Sequence, residues 1–481
     1  MALVCGLDVS TQSTKAVVVD DEDGTVVATG TAPHRLIVDR QRHETDPAVW
    51  EEAVALALAA TGRAGEVKAI SVAAQQHGLV VLDAKRRPLR TALLWNDTRS
   101  APQASALTAA LGGPEAIASL IGSVPSAAFT APKWLWLREA EPTTAAEAKA
   151  VCLPHDHITG RLTGRLVTDR SDVSGTGWWS PAREDYAPEV LDALGLGPDL
   201  LPEVLGPEEI AGEVGAEAAR RFGLAPGVAV ACGAGDNAAA GLALGLRAGE
   251  AACSLGTSGT VYAVASSPSA DPSGTVAGFA SADGRYLPLA CTLNATLALD
   301  RVASWLGRER DDVSPSDGVT FLPWFDGERT PDVPDATGTL SGLRHDTNPG
   351  AVLMAAYEGL VATLLDALGA LAAWAPQDDQ APLLLTGGGA RGRVWQDTVR
   401  RLSGRPLLLS EIAEPVALGA AAQAAAVRRG MPLAKVSEAW SGLRGHLLEP
   451  LPRDDEVLQR IRGWRETVLG ASQPPVPGGT A

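Results

Sequence analysis

Two α/β domains built to one plan are predicted from three features of the 481-residue sequence. Each half opens on a strand, a turn of small hydroxyl or glycine residues, and a second strand. Near the start these are Leu7-Asp8-Val9-Ser10-Thr11-Gln12-Ser13-Thr14-Lys15, running into an apolar strand at 16–19. Past the middle they are Ser254-Leu255-Gly256-Thr257-Ser258-Gly259-Thr260, running into Val261-Tyr262-Ala263-Val264. In both halves apolar strand-like runs then alternate with helical stretches, as expected of sheets covered by helices. The length suits two or three domains, placed at 1–244 and 245–481.

Strands at about 3–9, 15–20 and 25–30 form an opening meander, turned by Asp21-Glu22-Asp23-Gly24. A helix at about 47–60 begins at Asp46-Pro47, a cap followed by a first-turn proline. The strand at 67–73 ends in Ala74-Gln75-Gln76-His77-Gly78, with Val80-Val81-Leu82 directly after it. Strands and helices continue through 166–173, and a strand at 228–232 leads through Gly233-Ala234-Gly235-Asp236-Asn237 into an Ala/Gly/Leu helix at 238–246. The second half restarts with strands at 250–255 and 260–264 and helices near 294–306 and 349–372. Leu383-Leu384-Leu385-Thr386 is a strand entering Gly387-Gly388-Gly389, followed by a helix to about 402, a strand at 406–409 and a helix at 418–428. The Pro/Gly-rich tail from about 473 is expected to be disordered.

A content of 46% hydrophobic and 20% charged residues is that of a globular chain with a large core. The net charge of −17 argues against nucleic acid or an anionic membrane as partner, since both need basic surface. Cys5, Cys152, Cys232, Cys253 and Cys291 are scattered without a CxxC pair, as for free thiols in a reducing compartment. With no signal-like start and no apolar run of ~18 residues, a cytoplasmic protein is expected.

The polar hairpin tips gather backbone N–H groups and hydroxyls, a cradle for phosphate oxygens. No P-loop and no protein-kinase motif set accompanies them. Asp8, beside Ser10-Thr11-Gln12-Ser13-Thr14, is where Mg²⁺ with its waters would sit. Gly233-Ala234-Gly235-Asp236-Asn237-Ala238 matches a dinucleotide fingerprint, but Asp236 would repel a pyrophosphate there. A dinucleotide site, a plain helix cap and a catalytic carboxylate stand as alternatives for Asp236. Three glycines opening a helix at 387–389 would let backbone approach an adenosine closely. His77, amid amides at a strand end, suits a sugar hydroxyl, although a lone His is more often a satisfied polar residue. His155-Asp156-His157 offers two metal ligands but lacks a third. Trp178-Trp179 reads as core or interface rather than as a stacking platform.

Together these residues resemble the FGGY carbohydrate kinases over roughly 3–450. Phe129-Thr130-Ala131-Pro132-Lys133-Trp134-Leu135-Trp136-Leu137 resembles the family's N-terminal signature, with Ala140 departing at its last polar position. Gly338-Thr339-Leu340-Ser341-Gly342-Leu343 with Ala355-Ala356-Tyr357-Glu358 resembles its second signature, with Ala351 departing. Leu94-Trp95-Asn96-Asp97-Thr98-Arg99, Phe321-Leu322-Pro323 and Gly387-Gly388-Gly389-Ala390-Arg391 are similar to the branch that phosphorylates D-xylulose at its 5-position. The resemblance implies two ribonuclease H-like domains of the actin/hexokinase type flanking a catalytic cleft. It implies ATP and Mg²⁺ as cofactors, Asp236 as catalytic base with Asp8 beside the metal, and Gln76, His77, Trp95, Asp236 and Asn237 as the ketose site. Thr11, Gln12, Ser13, Lys15, Gly256, Thr257, Ser258, Gly388, Gly389 and Ala390 would then serve the nucleotide. Gln76 stands where many such kinases carry Met. Another ketose or polyol as substrate is the alternative within the family, and a partner-switching actin-fold ATPase the alternative outside it. A homodimer is compatible with either.

Overall fold

The computed structural model describes residues 2–440 and 444–471, so the tail expected to be disordered lies outside the described residues. The chain forms two compact units, one of Met1–Arg247, Val264–Pro288 and Glu411–Arg444, the other of Ala248–Ala263, Leu289–Ser410 and Gly445–Ala481. The chain first passes from one unit to the other at 247/248. Two later segments return to the first unit, an interleaving that linear periodicity does not carry.

In the first unit, β1 (Leu3–Val9) and β2 (Ser13–Asp20) form the expected hairpin, paired from Leu3 with Asp20 to Val9 with Thr14, and β3 (Val26–Pro33) completes the meander. Helix α1 (Pro47–Thr61) follows, with the Asp46 side chain accepting from the Ala48 amide and Pro47 in its first turn. Next come β4 (Val67–Ala74), α2 (Thr130–Ala140), α3 (Pro154–Thr163), β5 (Ile210–Glu213), β6 (Ala229–Ala231) and α4 (Asp236–Ala243). The sheet order is β5-β6-β4-β1-β2-β3, with β1, β4 and β6 parallel.

Strand alternation decides what each face packs against. Leu3, Cys5, Leu7, Val9, Ala16 and Val18 point to the core shared with Trp50, Val54 and Leu58 of α1. Val4, Val17 and Val19 point the other way, against the alanines of a helix at Pro415–Arg429. That helix lies so close that a Cβ on Gly6 would fall 1.8 Å from the Ala417 carbonyl oxygen, and one on Gly419 would fall 1.9 Å from that of Ala239. Its Ala/Gly composition is thus a packing requirement.

The second unit repeats the plan. Strands β7 (Ala251–Leu255) and β8 (Gly259–Ala263) form the second hairpin, and β9 (Tyr286–Thr292) pairs with β8 through 289–292. Helix α5 (Pro349–Leu371) follows, its Asn348 cap accepting from the Ala351 amide. It is long and apolar enough to cross a membrane, but most of its apolar window is buried inside the fold. Strands β10 (Leu383–Thr386), β11 (Leu407–Leu409) and β12 (His446–Leu448) give the path β12-β11-β10-β7-β8-β9, with β7, β10 and β11 parallel. The run β10-β7-β8-β9 repeats the order β4-β1-β2-β3 of the first sheet, while the outer pair differs: the antiparallel edge strand precedes its neighbour in the chain in the first sheet (β5 before β6) and follows it in the second (β12 after β11).

Candidate active site

Open α/β sheets bind ligands outside the carboxyl ends of their parallel strands, and the registers of the first unit bring the chemistry there. Asp8 of β1 lies opposite Ala73 of β4, and Ala73 lies opposite Ala234 in the short strand before α4. The residues following on these three strands are Ser10-Thr11, Gln75-Gln76-His77 and Asp236-Asn237. Gly235 is what allows the tight junction, because a Cβ there would sit 2.7 Å from Gln76 Nε2.

Asp236 occupies the first turn of α4, one residue past the N-cap Gly235, so it is not the cap itself. Its Oδ1 accepts from the backbone N–H of Asn237 at 2.7 Å and from the Asn237 side-chain amide at 2.9 Å. Burial raises its pKa to about 7, the negative Asp8 adds to the rise, and the Asn237 bonds oppose it. Burial and the like charge of Asp8, neither of them visible in the local sequence, set this value.

Asp8 is buried and raised to about 6, chiefly by desolvation. Ser10 Oγ donates to its Oδ1 at 2.5 Å, and Lys15 Nζ lies 3.7 Å from its Oδ2. Lys15 is drawn more closely to Glu414, at 2.7 Å, just before the Pro415–Arg429 helix. That lysine, expected to reach the nucleotide, is thus engaged by two carboxylates of its own unit. Glu414 carried no recognisable sequence signal.

The turn between β1 and β2 is closed by the Ser10 N–H to the Ser13 carbonyl, at 3.0 Å. Gln12, at its tip, is exposed and its carbonyl accepts from the His34 N–H at 2.7 Å. Thr11 links two strand ends: Trp95 Nε1 donates to its Oγ1 at 3.0 Å, and that hydroxyl donates to Gln75 Oε1 at 3.2 Å. Gln76 is buried, its Nε2 donating to the Ser171 carbonyl at 3.5 Å.

His77 adopts φ 69°, unusual for a residue with a side chain. Its Nδ1 lies 2.6 Å from the Gly175 carbonyl, an oxygen that only accepts, so Nδ1 carries a proton directed at it. A Cβ at Gly175 would come within 2.8 Å of that imidazole. Phe129 stacks on it at 4.8 Å and Phe279 lies at 5.6 Å. Neither phenylalanine was singled out by itself from the sequence, although Phe129 heads the first signature.

Behind Asp236 lies a buried ionic cluster. His155 Nδ1 is 3.0 Å from Asp172 and 3.1 Å from Asp156, and its Nε2 is 3.2 Å from the Cys232 carbonyl. Burial alone would neutralise this imidazole, but Asp156, Asp172 and Asp169 overcome it and raise its pKa to about 10. Ser171, one residue away, accepts from the Gly235 N–H at 3.1 Å. His157 instead faces Glu51 at 3.0 Å. The two histidines serve different carboxylates, and no group of three or more His, Cys, Asp or Glu converges as a metal cage among the described residues. Trp178 and Trp179 are core residues.

In the second unit the β7–β8 turn is closed by the Gly256 N–H to the Ser258 carbonyl, at 3.0 Å. Thr257 is exposed at its tip and Ser258 half-buried. Strand β10 runs beside β7, with Ser254 opposite Thr386, which carries the glycines to the same end. They open a 3₁₀ turn, Gly388–Arg391, rather than the expected helix, which begins at Arg393. A Cβ on Gly389 would meet Thr296 Cγ2 at 2.7 Å and Leu255 Cβ at 2.9 Å, whereas one on Gly388 would meet nothing within 4 Å. Ala390 is buried beneath them.

Two family models match: the N-terminal domain of the FGGY family of carbohydrate kinases over residues 3–243 and its C-terminal domain over 251–427. A protein named xylulose kinase from Streptomyces coelicolor is 56% identical over 96% of this chain and 95% of its own length. Another of that name from Streptomyces rubiginosus is 53% identical over 99% of this chain and 98% of its own. The crystal structure of xylulose kinase from Bifidobacterium adolescentis superposes with a TM-score of 0.84 at 34% identity, covering 96% of this chain and 99% of that one.

Proposed function

The chain belongs to the FGGY family of carbohydrate kinases, and from that premise we propose that it transfers the γ-phosphoryl group of ATP to the 5-hydroxyl of D-xylulose. It is a two-domain α/β carbohydrate kinase of actin/hexokinase-like fold, and the proposal adds roles to residues. The observation that carries it is Asp236: a buried carboxylate with a pKa near 7, on the strand end next to Gln76 and His77. A base for a sugar hydroxyl is most effective when its pKa lies near the working pH.

In this reading Asp236 accepts the hydroxyl proton as the oxygen attacks the γ-phosphorus in line. Asn237 fixes the carboxylate through Oδ1. His77 Nε2 accepts from a second sugar hydroxyl, while Gln76, Trp95 and Asn237 complete the ketose site. Phosphoryl transfer asks the protein mainly for positioning and charge neutralisation. The hydroxyls and N–H groups of Thr11, Gln12 and Ser13 are assigned to phosphate oxygens, as are Gly256, Thr257 and Ser258. Gly388, Gly389 and Ala390 are assigned to the adenosine.

Mg²⁺ fits Asp8. Mg²⁺ commonly takes one or two carboxylates, with waters and substrate phosphates completing its octahedron, and Asp8 is a buried carboxylate whose elevated pKa a cation would reverse. When bound, the ion supplies charge neutralisation to the phosphates. Lys15 balances Asp8 and Glu414.

Sugar-dependent ADP release across a panel of ketoses and polyols tests the proposal. Xylulose should give the highest kcat/KM. Faster turnover of another sugar would move the substrate within the family, and sugar-independent ADP release would favour a switch ATPase instead.

A further inference from the structure

Lys133 is wholly buried in α2, and no carboxylate pairs with it among the described residues. Its ammonium has three N–H donors, and it spends them on three successive carbonyls: Ala127 at 2.7 Å, Ala128, and Phe129 at 3.2 Å. A buried amine is costly unless every donor is satisfied, and here the acceptors are the last backbone groups before the helix. The same loop is closed by the Phe129 N–H to the Ser126 carbonyl, at 3.1 Å. Lys133 therefore fixes where Phe129 and Thr130 sit.

Those two residues hold His77 from two sides. The Phe129 ring stacks on the imidazole at an interplanar angle of 29°, and Phe279, 6.0 Å from Phe129, closes the cluster. Thr130 Oγ1 donates to the His77 carbonyl at 3.2 Å. A left-handed backbone in a β-carbon residue persists only when its surroundings over-determine it, and these contacts together with the Gly175 carbonyl are the surroundings.

We propose that Lys133 is a positioning residue for sugar recognition, acting through Phe129 and Thr130 to hold the His77 imidazole toward the ketose. This rests on the reading of His77 as a sugar-binding residue. Lys133 need not touch the sugar. Its ammonium sets the loop, the loop sets the stacked ring, and the ring sets the direction of Nε2.

The test is steady-state kinetics on the full chain with xylulose and ATP varied separately, for Lys133→Met, Phe129→Leu, His77→Ala and the Lys133→Met/His77→Ala pair. Lys133→Met and Phe129→Leu should each raise the xylulose KM by about ten-fold, the scale of one lost hydrogen bond, while the ATP KM moves less than about two-fold. In the His77→Ala background, Lys133→Met should add little, because both act on one contact. Equal changes in both KM values, or full additivity with His77→Ala, would mark Lys133 as a general support of the fold and overturn the proposal. Should Lys133→Met fail to fold, Phe129→Leu decides: an unchanged xylulose KM there rejects the link. His77→Ala separates the two readings. If it leaves the xylulose KM untouched, the sugar role of His77 falls and this inference with it. If it raises that KM while Lys133→Met and Phe129→Leu do not, only the inference falls.

Discussion

Asp236 and Asn237 are joined through one oxygen: Oδ1 of the carboxylate takes both the backbone and the side-chain N–H of its neighbour, at 2.7 and 2.9 Å. Neither bond engages Oδ2, the oxygen to which the proposed reaction assigns the hydroxyl proton. On that proposal Asn237 would orient the base without occupying its reacting oxygen.

Replacing Asp236 by Asn should keep the fold and remove the base. Phosphorylation of xylulose should fall by roughly 10²-fold or more, the scale of general-base loss. Thermal melting at pH 8 should be unchanged or higher, because a buried carboxylate ionised at that pH gives way to a neutral amide. Near-wild-type turnover in the variant would leave Asp236 a structural residue and turn the search toward Asp8.

Activity should depend on pH through the same group. With a pKa raised to about 7, Asp236 is a competent base only above that value, so kcat/KM for xylulose should climb through pH 7 and level off. The sign for stability is opposite. A carboxyl raised above its unfolded value favours its protonated form in the fold, so its contribution is full below pH ~4 and is lost as pH rises through 7. Because Asp8 is one cause of the rise, Asp8→Asn should move the inflection in the pH dependence of stability downward when it is measured on the metal-free protein. An inflection left in place would mean that Asp8 does not act on the base.

The His155 cluster should behave as a structural charge. Its imidazolium faces Asp156, Asp172 and Asp169 in a fully buried setting. His155→Gln leaves those carboxylates without their cation and should cost on the order of 3–5 kcal/mol in urea unfolding. A folded pKa raised to about 10 from 6.5 stabilises fully below pH 6.5 and loses that contribution as pH rises through 10. Equal unfolding midpoints for variant and wild type at pH 6 would contradict this assignment.

What the sequence disclosed follows from local physics. The two hairpins, the Asp46-Pro47 start of α1 and the strand entering the glycines are set by alternation, caps and turn chemistry within a few residues of each other, and their observed bounds lie close to the expected ones. Pairings made over long separations were not legible. Glu414 reaches Lys15, and Ser71 Oγ donates to Gln423 at 2.9 Å, only because a late helix returns to the first sheet. The raised pKa of Asp236 was not legible for the same reason. The helix dipole is a local signal, whereas burial and the neighbouring Asp8 come from three strands meeting. Lys133 stands within the segment that resembles the family's N-terminal signature, yet its partners lie behind it on a loop whose bend no periodicity encodes.

The glycine turn after β10 separates packing from binding. Gly389 has no room for a side chain, since a Cβ there meets Leu255 and Thr296 below 3.0 Å, whereas Gly388 faces open space. Gly389→Ala should therefore lower the melting temperature of the ligand-free protein. Gly388→Ala should leave that melting temperature alone, because its methyl group meets no protein atom. If the adenosine lies against this turn, that methyl group takes its place, and the ATP KM should rise several-fold with the xylulose KM unchanged. Turnover is thus expected to recover at saturating ATP. A Gly388→Ala protein with an unaltered ATP KM would remove this turn from the nucleotide site, and the tip residues Thr257 and Ser258 would be the next to test.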